Sequence, residues 1–272
     1  MGGRFADRVI WITGGGSGLG SAMALAFVRE GGTVALSGRR VDRLEAVAAE
    51  LEAAGGRALV VPCDVTVPEQ VQAAVDAVVA QLGRLDVAVA NAGFAVGGPF
   101  MSLSAADWQR QMAVNVVGLT TTARCAIPEL QKTGGQVVLI GSVAAYIGLP
   151  GSSAYGSSKA AVRYIGAALS AELAGSGVCC TTIHPGFVES EIAQVDNQGR
   201  FSAEREDRRP QQLMWGAERA ARVMVGAVYR RRREFVFTGH GHFAAFMGQR
   251  LPRLAHWIVS LGAARSRKSA DR

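Results

Sequence analysis

Short apolar runs alternate with amphipathic stretches along most of this chain. Arg8–Thr13 is one such run, and Leu19, Met23, Phe27 and Val28 then repeat at helical spacing. Thr33–Ser37 reads as a second strand, followed by a helix with Leu44, Val47, Ala48 and Leu51 inward. Ala58–Cys63 is the third strand. The next helix starts near Pro68, with Thr66 as its expected cap, and carries the stripe Val71, Val75, Val78, Val79, Leu82. Leu85–Ala90, Gln136–Gly141, Val178–Ile183 and Glu234–Thr238 complete seven expected strands. Helices are expected over Ala105–Ile127, Ala154–Ala174 and Ala217–Tyr229. Strands alternating with helices predict one α/β domain, a parallel sheet covered on both faces.

Composition agrees with a large core: 49% of the 272 residues are hydrophobic and 19% charged. No run approaches the ~18 apolar residues of a membrane span. The N-terminus has no signal-peptide pattern, and Ala6 stands where a myristoylation signal has Ser or Thr. Cys63, Cys125, Cys179 and Cys180 show no CxxC spacing and read as reduced thiols, so the expected location is cytoplasmic. The net charge of +7 is uneven. Residues 1–199 hold thirteen basic and sixteen acidic side chains, and 200–272 hold sixteen basic and six acidic. A solvated face accounts for that tail as well as an anionic partner does. Without aromatic–basic interleaving, nucleic acid is not expected.

Candidate chemistry sits at the strand ends. Thr13–Gly20, TGGGSGLG, lies between strand and helix, where backbone N–H groups meet a pyrophosphate and glycines admit it. The string is neither a literal GxGxxG nor a P-loop. At the end of the second strand, Gly38 and Arg39 stand where a carboxylate would bind the ribose hydroxyls of NAD. A guanidinium there suits a 2′-phosphate instead, favouring NADP(H), with NAD(H) as the alternative. Arg40 follows, and both arginines could equally be helix-start surface charges. Tyr155 and Lys159 are one helical turn apart, Ser142 follows a strand, and Asn115 interrupts a helical pattern. An ammonium beside a phenol lowers its pKa, so this pair could exchange a proton near neutrality. Two unrelated surface side chains are the plain alternative.

Taken together, TGGGSGLG, Asp64, Asn91-Ala92-Gly93, Asn115, Ser142, the YxxxK of Tyr155 and Lys159, and Pro185-Gly186 resemble the short-chain dehydrogenase/reductase family over roughly Asp7–Thr238. The resemblance implies a single Rossmann-type doubly wound domain with a seven-stranded parallel sheet. It implies Tyr155 as general acid/base, Lys159 on the nicotinamide ribose, Ser142 on the substrate oxygen, and Asn115 holding a relay water. The cofactor contacts it implies are Thr13, Gly14, Ser17, Gly18, Leu19, Gly20, Arg39, Arg40, Asp64, Val65, Asn91, Ala92, Gly93, Tyr155, Lys159, Pro185, Gly186 and Val188. The implied reaction moves a hydride between NADP(H) and the carbonyl or secondary alcohol of a hydrophobic small molecule. A non-catalytic dinucleotide-binding sensor is the alternative. Ser17 departs from the basic residue many NADP-preferring relatives carry.

Phe94, Ala144, Tyr146, Leu149, Phe187 and Glu189–Trp215 are the expected substrate contacts, and the charged stretch Asn197–Gln212 the expected lid. The expected organisation is a catalytic domain over 1–240 and an extension over 241–272. In the extension Leu254, Trp257, Ile258 and Leu261 form an amphipathic helix packed on the domain or on a partner subunit of a homodimer or homotetramer. Peripheral membrane contact is the other use of such a helix. His240 and His242 have no matching carboxylate or cysteine nearby, so no metal site is expected.

Overall fold

In this computed structural model, which describes residues 3–207 and 209–270, seven parallel strands form one sheet in the order β3-β2-β1-β4-β5-β6-β7. They are β1 (Val9–Thr13), β2 (Thr33–Ser37), β3 (Arg57–Val60), β4 (Val87–Ala90), β5 (Gln136–Ile140), β6 (Cys179–His184) and β7 (Glu234–Val236). The side chains of 265–270 are outside the description. So are residue 208 of the expected lid, residues 271–272 of the extension and the Gly2 position weighed for lipidation.

Alternation along each strand feeds two cores. Ile10, Ile12, Leu36, Val89, Val138 and Ile183 pack under α1 (Gly18–Arg29), α2 (Val41–Ala53) and, through Met224 and Val225, α7 (Ala217–Tyr229). Val9, Trp11, Ala35, Ala88, Val137 and Leu139 face α3 (Pro68–Leu82), α5 (Leu119–Thr133) and α6 (Ser153–Glu172). Each fully buried leucine or isoleucine contributes roughly 1.5–3 kcal/mol. The chain reverses its winding between β1 and β4, and in open sheets the crevice at such a switch point takes ligands.

The expected long helix is interrupted. It runs as α4 (Ala105–Met112), a π-helical segment over Ala113–Gly118 and α5. The cause lies in the chain after β4, which leaves the sheet and needs other backbone partners. Gln111 Oε1 accepts from Val96 N at 2.6 Å, and Asn115 Oδ1 accepts from Phe94 N at 3.1 Å. Gln111 Nε2 and Asn115 Nδ2 both donate to Phe94 O at 3.0 Å. The wider π turn lets both amides face this segment.

Thr66 does not cap α3; its hydroxyl donates to Asp64 Oδ1 at 2.7 Å, and Val67 takes the cap position. The C-terminal region holds two helices, α8 (Gly239–Arg250) and α9 (Pro252–Ala270), where one was expected. Leu254, Trp257, Ile258 and Leu261 are all exposed, so the apolar stripe of α9 is not packed on its own domain; among the α9 residues whose side chains are described, Ala255 is the buried one. Among the described residues no helix is long and apolar enough to cross a membrane.

Candidate active site

The carboxyl ends of β1, β2, β4, β5 and β6 open into a cleft of about 640 Å³. Its floor begins at the glycine loop. Gly14 and Gly18 have φ of 67° and 55°, left-handed conformations that β-carbons disfavour. A Cβ at Gly20 would lie 2.1 Å from Gly14 O, so only glycine lets α1 start this close to the loop. The N-cap Ser17 makes no side-chain cap bond, and Gly18, Leu19 and Gly20 at the start of α1 line the cleft.

Gly14, Ser17, Gly18, Leu19, Gly20, Arg39, Arg40, Asp64, Val65, Asn91, Ala92, Gly93, Ser142, Tyr155, Lys159, Pro185, Gly186 and Val188 all line this cleft. Thr13 and Asn115 lie outside the lining. Thr13 Oγ1 accepts from Asn91 N at 3.1 Å and Ala92 N at 3.2 Å, so it holds the end of β1 to the end of β4. Asn115 is fully buried behind Phe94, and its Nδ2 donates to Ser158 Oγ at 3.1 Å.

The cleft is electropositive. Arg39, Arg40, Arg110, Lys159, Arg200 and Arg209 line it, against Asp64 and Glu191. Such a lining raises the local concentration of anions. Arg40 spans the opening: Nη2 donates to Ser17 Oγ at 3.1 Å and to Glu191 Oε2 at 2.9 Å, and the guanidinium lies 5.8 Å from the Phe201 ring centroid. Phosphate loop and opposite wall are thereby linked. Arg209 bonds that wall to itself through Val188 O at 2.9 Å and Ser190 O at 3.1 Å, and pairs with Asp207 at 2.7 Å. The expected lid, Asn197–Gln212, is therefore part of a braced flap, which has one short 3₁₀ turn before the lid, Glu191–Gln194, and one at its end, Gln211–Leu213.

Ser142 Oγ accepts from Ala144 N at 3.1 Å, leaving its own proton for an acceptor in the cleft. Lys159 Nζ donates to Ile140 O at 2.8 Å and lies 5.8 Å from the Tyr155 ring centroid. Burial pulls the Lys159 ammonium down to about 8. The Tyr155 phenol is pushed up by the protein packed around it, with Ser142 and Arg209 pulling the other way. This corrects the expectation of a phenol made acidic by Lys159: with the ammonium engaged by a backbone carbonyl and itself desolvated, burial dominates.

Tyr146 also departs from expectation. Its hydroxyl donates to Glu234 Oε1 at 2.8 Å, away from the cleft, in a cluster with Arg163 and His184. Phe187 stacks on His240 at 5.2 Å, and its N–H donates to His240 Nε2 at 2.9 Å; Ala144, Leu149 and Phe187 are absent from the lining. Phe94, and Ile192, Val195 and Phe201 of the expected Glu189–Trp215 segment, do line it, and Val114 completes the apolar wall. Of these, Val114 and the cationic Arg110 lie on α4 and its π extension and carry no strand-end signal. Among the described residues no group of three His, Cys, Asp or Glu could hold a metal.

Known proteins share this chain's sequence pattern and fold. The sequence pattern of the family described as "short chain dehydrogenase" matches residues 8–200. The chain is 39% identical over 192 residues to "Probable oxidoreductase EphD" of Mycobacterium tuberculosis; that stretch is 70% of this chain but 32% of the mycobacterial protein. It is 39% identical over 196 residues to "Serine 3-dehydrogenase" of Agrobacterium fabrum, covering 71% of this chain and 77% of that one. A short-chain dehydrogenase/reductase from Burkholderia phymatum in complex with NAD superposes with a TM-score of 0.77 at 28% identity, covering 86% of this chain and 89% of the other. A short-chain dehydrogenase from Burkholderia cenocepacia in complex with NADP gives 0.75 at 26% identity, covering 88% and 99%.

Proposed function

Because this chain belongs to the short-chain dehydrogenase/reductase family of oxidoreductases, we propose that it interconverts a ketone and a secondary alcohol on an apolar small molecule, using a nicotinamide dinucleotide. One observation carries the reading: Ser142, Tyr155 and Lys159 line the same cleft as a cationic, glycine-floored anion site. The cleft suits the cofactor on its own chemistry. The glycine loop and the start of α1 would hold the pyrophosphate, Asp64 and Val65 the adenine side, and Asn91–Gly93 with Pro185, Gly186 and Val188 the rest. When bound, the cofactor supplies the hydride acceptor or donor.

Tyr155 then gives a proton to the substrate oxygen during reduction, or takes one during oxidation. Ser142 donates its hydroxyl hydrogen to that same oxygen and stabilises the charge that develops there. Lys159 would hold a ribose of the bound cofactor. Asn115 fixes the backbone of Phe94 and the Ser158 hydroxyl behind the cleft.

NADP(H) is the preferred cofactor on the strength of Arg39 at the cleft edge. NAD(H) is the alternative, and solved relatives carry each. Phe94, Val114, Ile192, Val195 and Phe201 support an apolar substrate. We place the catalytic domain at 1–240 and an extension at 241–272, in a cytoplasmic protein that forms a homodimer or homotetramer. Absorbance of reduced nicotinamide, followed with NADPH and NADH over a panel of ketones and alcohols, tests the reading. No turnover of any carbonyl or alcohol with either cofactor would defeat it.

A further inference from the structure

The helices α8 and α9 carry features that the cleft does not explain. Phe243 and Phe246 on α8 are 64% and 57% exposed. Leu254, Trp257, Ile258 and Leu261, one stripe of α9, are 40–59% exposed, and Leu251 at the corner is 42% exposed. Seven large apolar side chains thus face solvent within nineteen residues, whereas the other exposed large hydrophobics are scattered over residues 41–229. Charge is the second observation. From residue 239 to 270 there is no Asp or Glu, while Arg250, Arg253, Arg265, Arg267 and Lys268 are basic. Arg250 and Arg253 are exposed at the α8–α9 corner, beside the exposed Leu251 and Leu254.

A second copy of the same surface would bring these cations together with no carboxylate from either arm to offset them. An anionic bilayer meets both demands at once. Its headgroups attract the arginines, and its acyl boundary receives Trp, Phe, Leu and Ile side chains. We propose that the α8–α9 arm docks this protein peripherally on an anionic phospholipid surface.

The first helix of the arm, α8, is tied to the domain, so docking would hold the whole enzyme at the surface. His240 in the first turn of α8 accepts from Phe187 N at 2.9 Å. Near the other end, a Cβ at Gly248 would lie 2.0 Å from Tyr146 O, so α8 is pressed against the segment that follows Ser142. Both ends of α8 therefore touch loops that border the cleft. Docking itself needs no bound cofactor and is independent of the reaction assigned above.

The experiment uses the full chain with phosphatidylcholine vesicles and with vesicles in which phosphatidylglycerol replaces part of the phosphatidylcholine. Flotation should carry the protein with the phosphatidylglycerol vesicles and leave it behind with phosphatidylcholine alone. Raising salt should weaken the interaction. Arg250→Glu with Arg253→Glu, and separately Leu254→Glu with Trp257→Glu, should each lower vesicle affinity on the order of tenfold or more. These side chains are exposed, so unchanged far-ultraviolet circular dichroism and melting serve as the folding control. Trp257→Phe should keep binding and lose the blue shift in tryptophan emission. No flotation of the wild-type protein overturns the proposal. So do charge or stripe variants that bind as the wild type does. A stripe variant that turns an oligomer into monomers, in a wild-type protein that ignores vesicles, assigns the face to a second copy instead.

Discussion

His184 stands between Glu234 and Ser142: its Nδ1 is 3.3 Å from the Ser142 carbonyl oxygen, and its Nε2 is 3.3 Å from Glu234 Oε1. The second contact is within ion-pair reach but is not aligned as a hydrogen bond. Glu234 also accepts from Tyr146 Oη and Arg163 Nε, each at 2.8 Å. These partners, with His184 first, hold the Glu234 carboxyl down to about 2. A carboxylate depressed in the folded state stabilises above its ordinary value of 4.5, and that stabilisation is lost as pH falls towards about 2. Glu234 is partly exposed, so solvent screening reduces its worth to about 1–2 kcal/mol at neutral pH. Glu234→Gln should lower the urea midpoint accordingly at pH 7, and the gap from wild type should close between about pH 4.5 and 2. A gap independent of pH would mean that the carboxylate charge is not what matters.

Tyr155→Phe removes the proton and leaves the ring. Turnover should drop by about 10²–10⁴-fold while cofactor affinity, read by fluorescence titration, stays near wild type. A variant with ordinary turnover would take Tyr155 out of the reaction.

Lys159 is 5% exposed, and burial lowers it from 10.5 to about 8. The unfolded chain then binds more protons than the folded one between about pH 8 and 10.5, so this group makes the protein more stable as pH rises through that window. The whole effect is at most roughly 3 kcal/mol. Below about pH 8 the buried ammonium is a constant cost, and Lys159→Met should be relieved of it. The difference in unfolding midpoint between Lys159→Met and the cofactor-free wild type should shrink from pH 8 to 10.5. A constant difference would argue against a titrating ammonium there.

Arg39 and Arg40 should behave differently. Arg40 is held by Ser17 and Glu191 across the cleft mouth, whereas Arg39 stands at the edge near Gly199. Arg39→Ala should weaken NADPH binding by about 1.5–3 kcal/mol, the worth of a hydrogen bond to a charged group, and NADH much less. Glu191→Gln should loosen the flap and release Arg40, tightening NADPH relative to NADH. Equal losses for both cofactors in Arg39→Ala would remove the basis for an NADP preference.

Ser37 Oγ accepts from Trp11 Nε1 at 2.8 Å and donates to Val61 O at 2.6 Å, with both side chains buried. Ser37→Ala leaves an indole N–H without its acceptor, at a cost of about 1–3 kcal/mol. Chemical denaturation of the variant measures it directly; no loss would mean that the indole finds another acceptor.

Local pattern alone determined a good deal of this protein. The apolar run Val9–Thr13, buried on both faces of the sheet, and period-3.6 stripes such as Val71, Val75 and Val78, each the buried face of a helix, are written in neighbouring residues. The loop Thr13–Gly20 and the Tyr155–Lys159 spacing were legible for the same reason: a tight turn and one helical turn are short-range geometry. Tertiary structure decided what depends on distant partners. The π turn at Asn115 answers to backbone groups at Phe94, some twenty positions away, and Tyr146 turns from the cleft because Glu234 and Arg163 await it on other elements. Arg40 is tied up by Glu191 from beyond β6. The direction of the Tyr155 shift belongs here too, since desolvation is set by everything packed around a group and no neighbour in sequence reveals it.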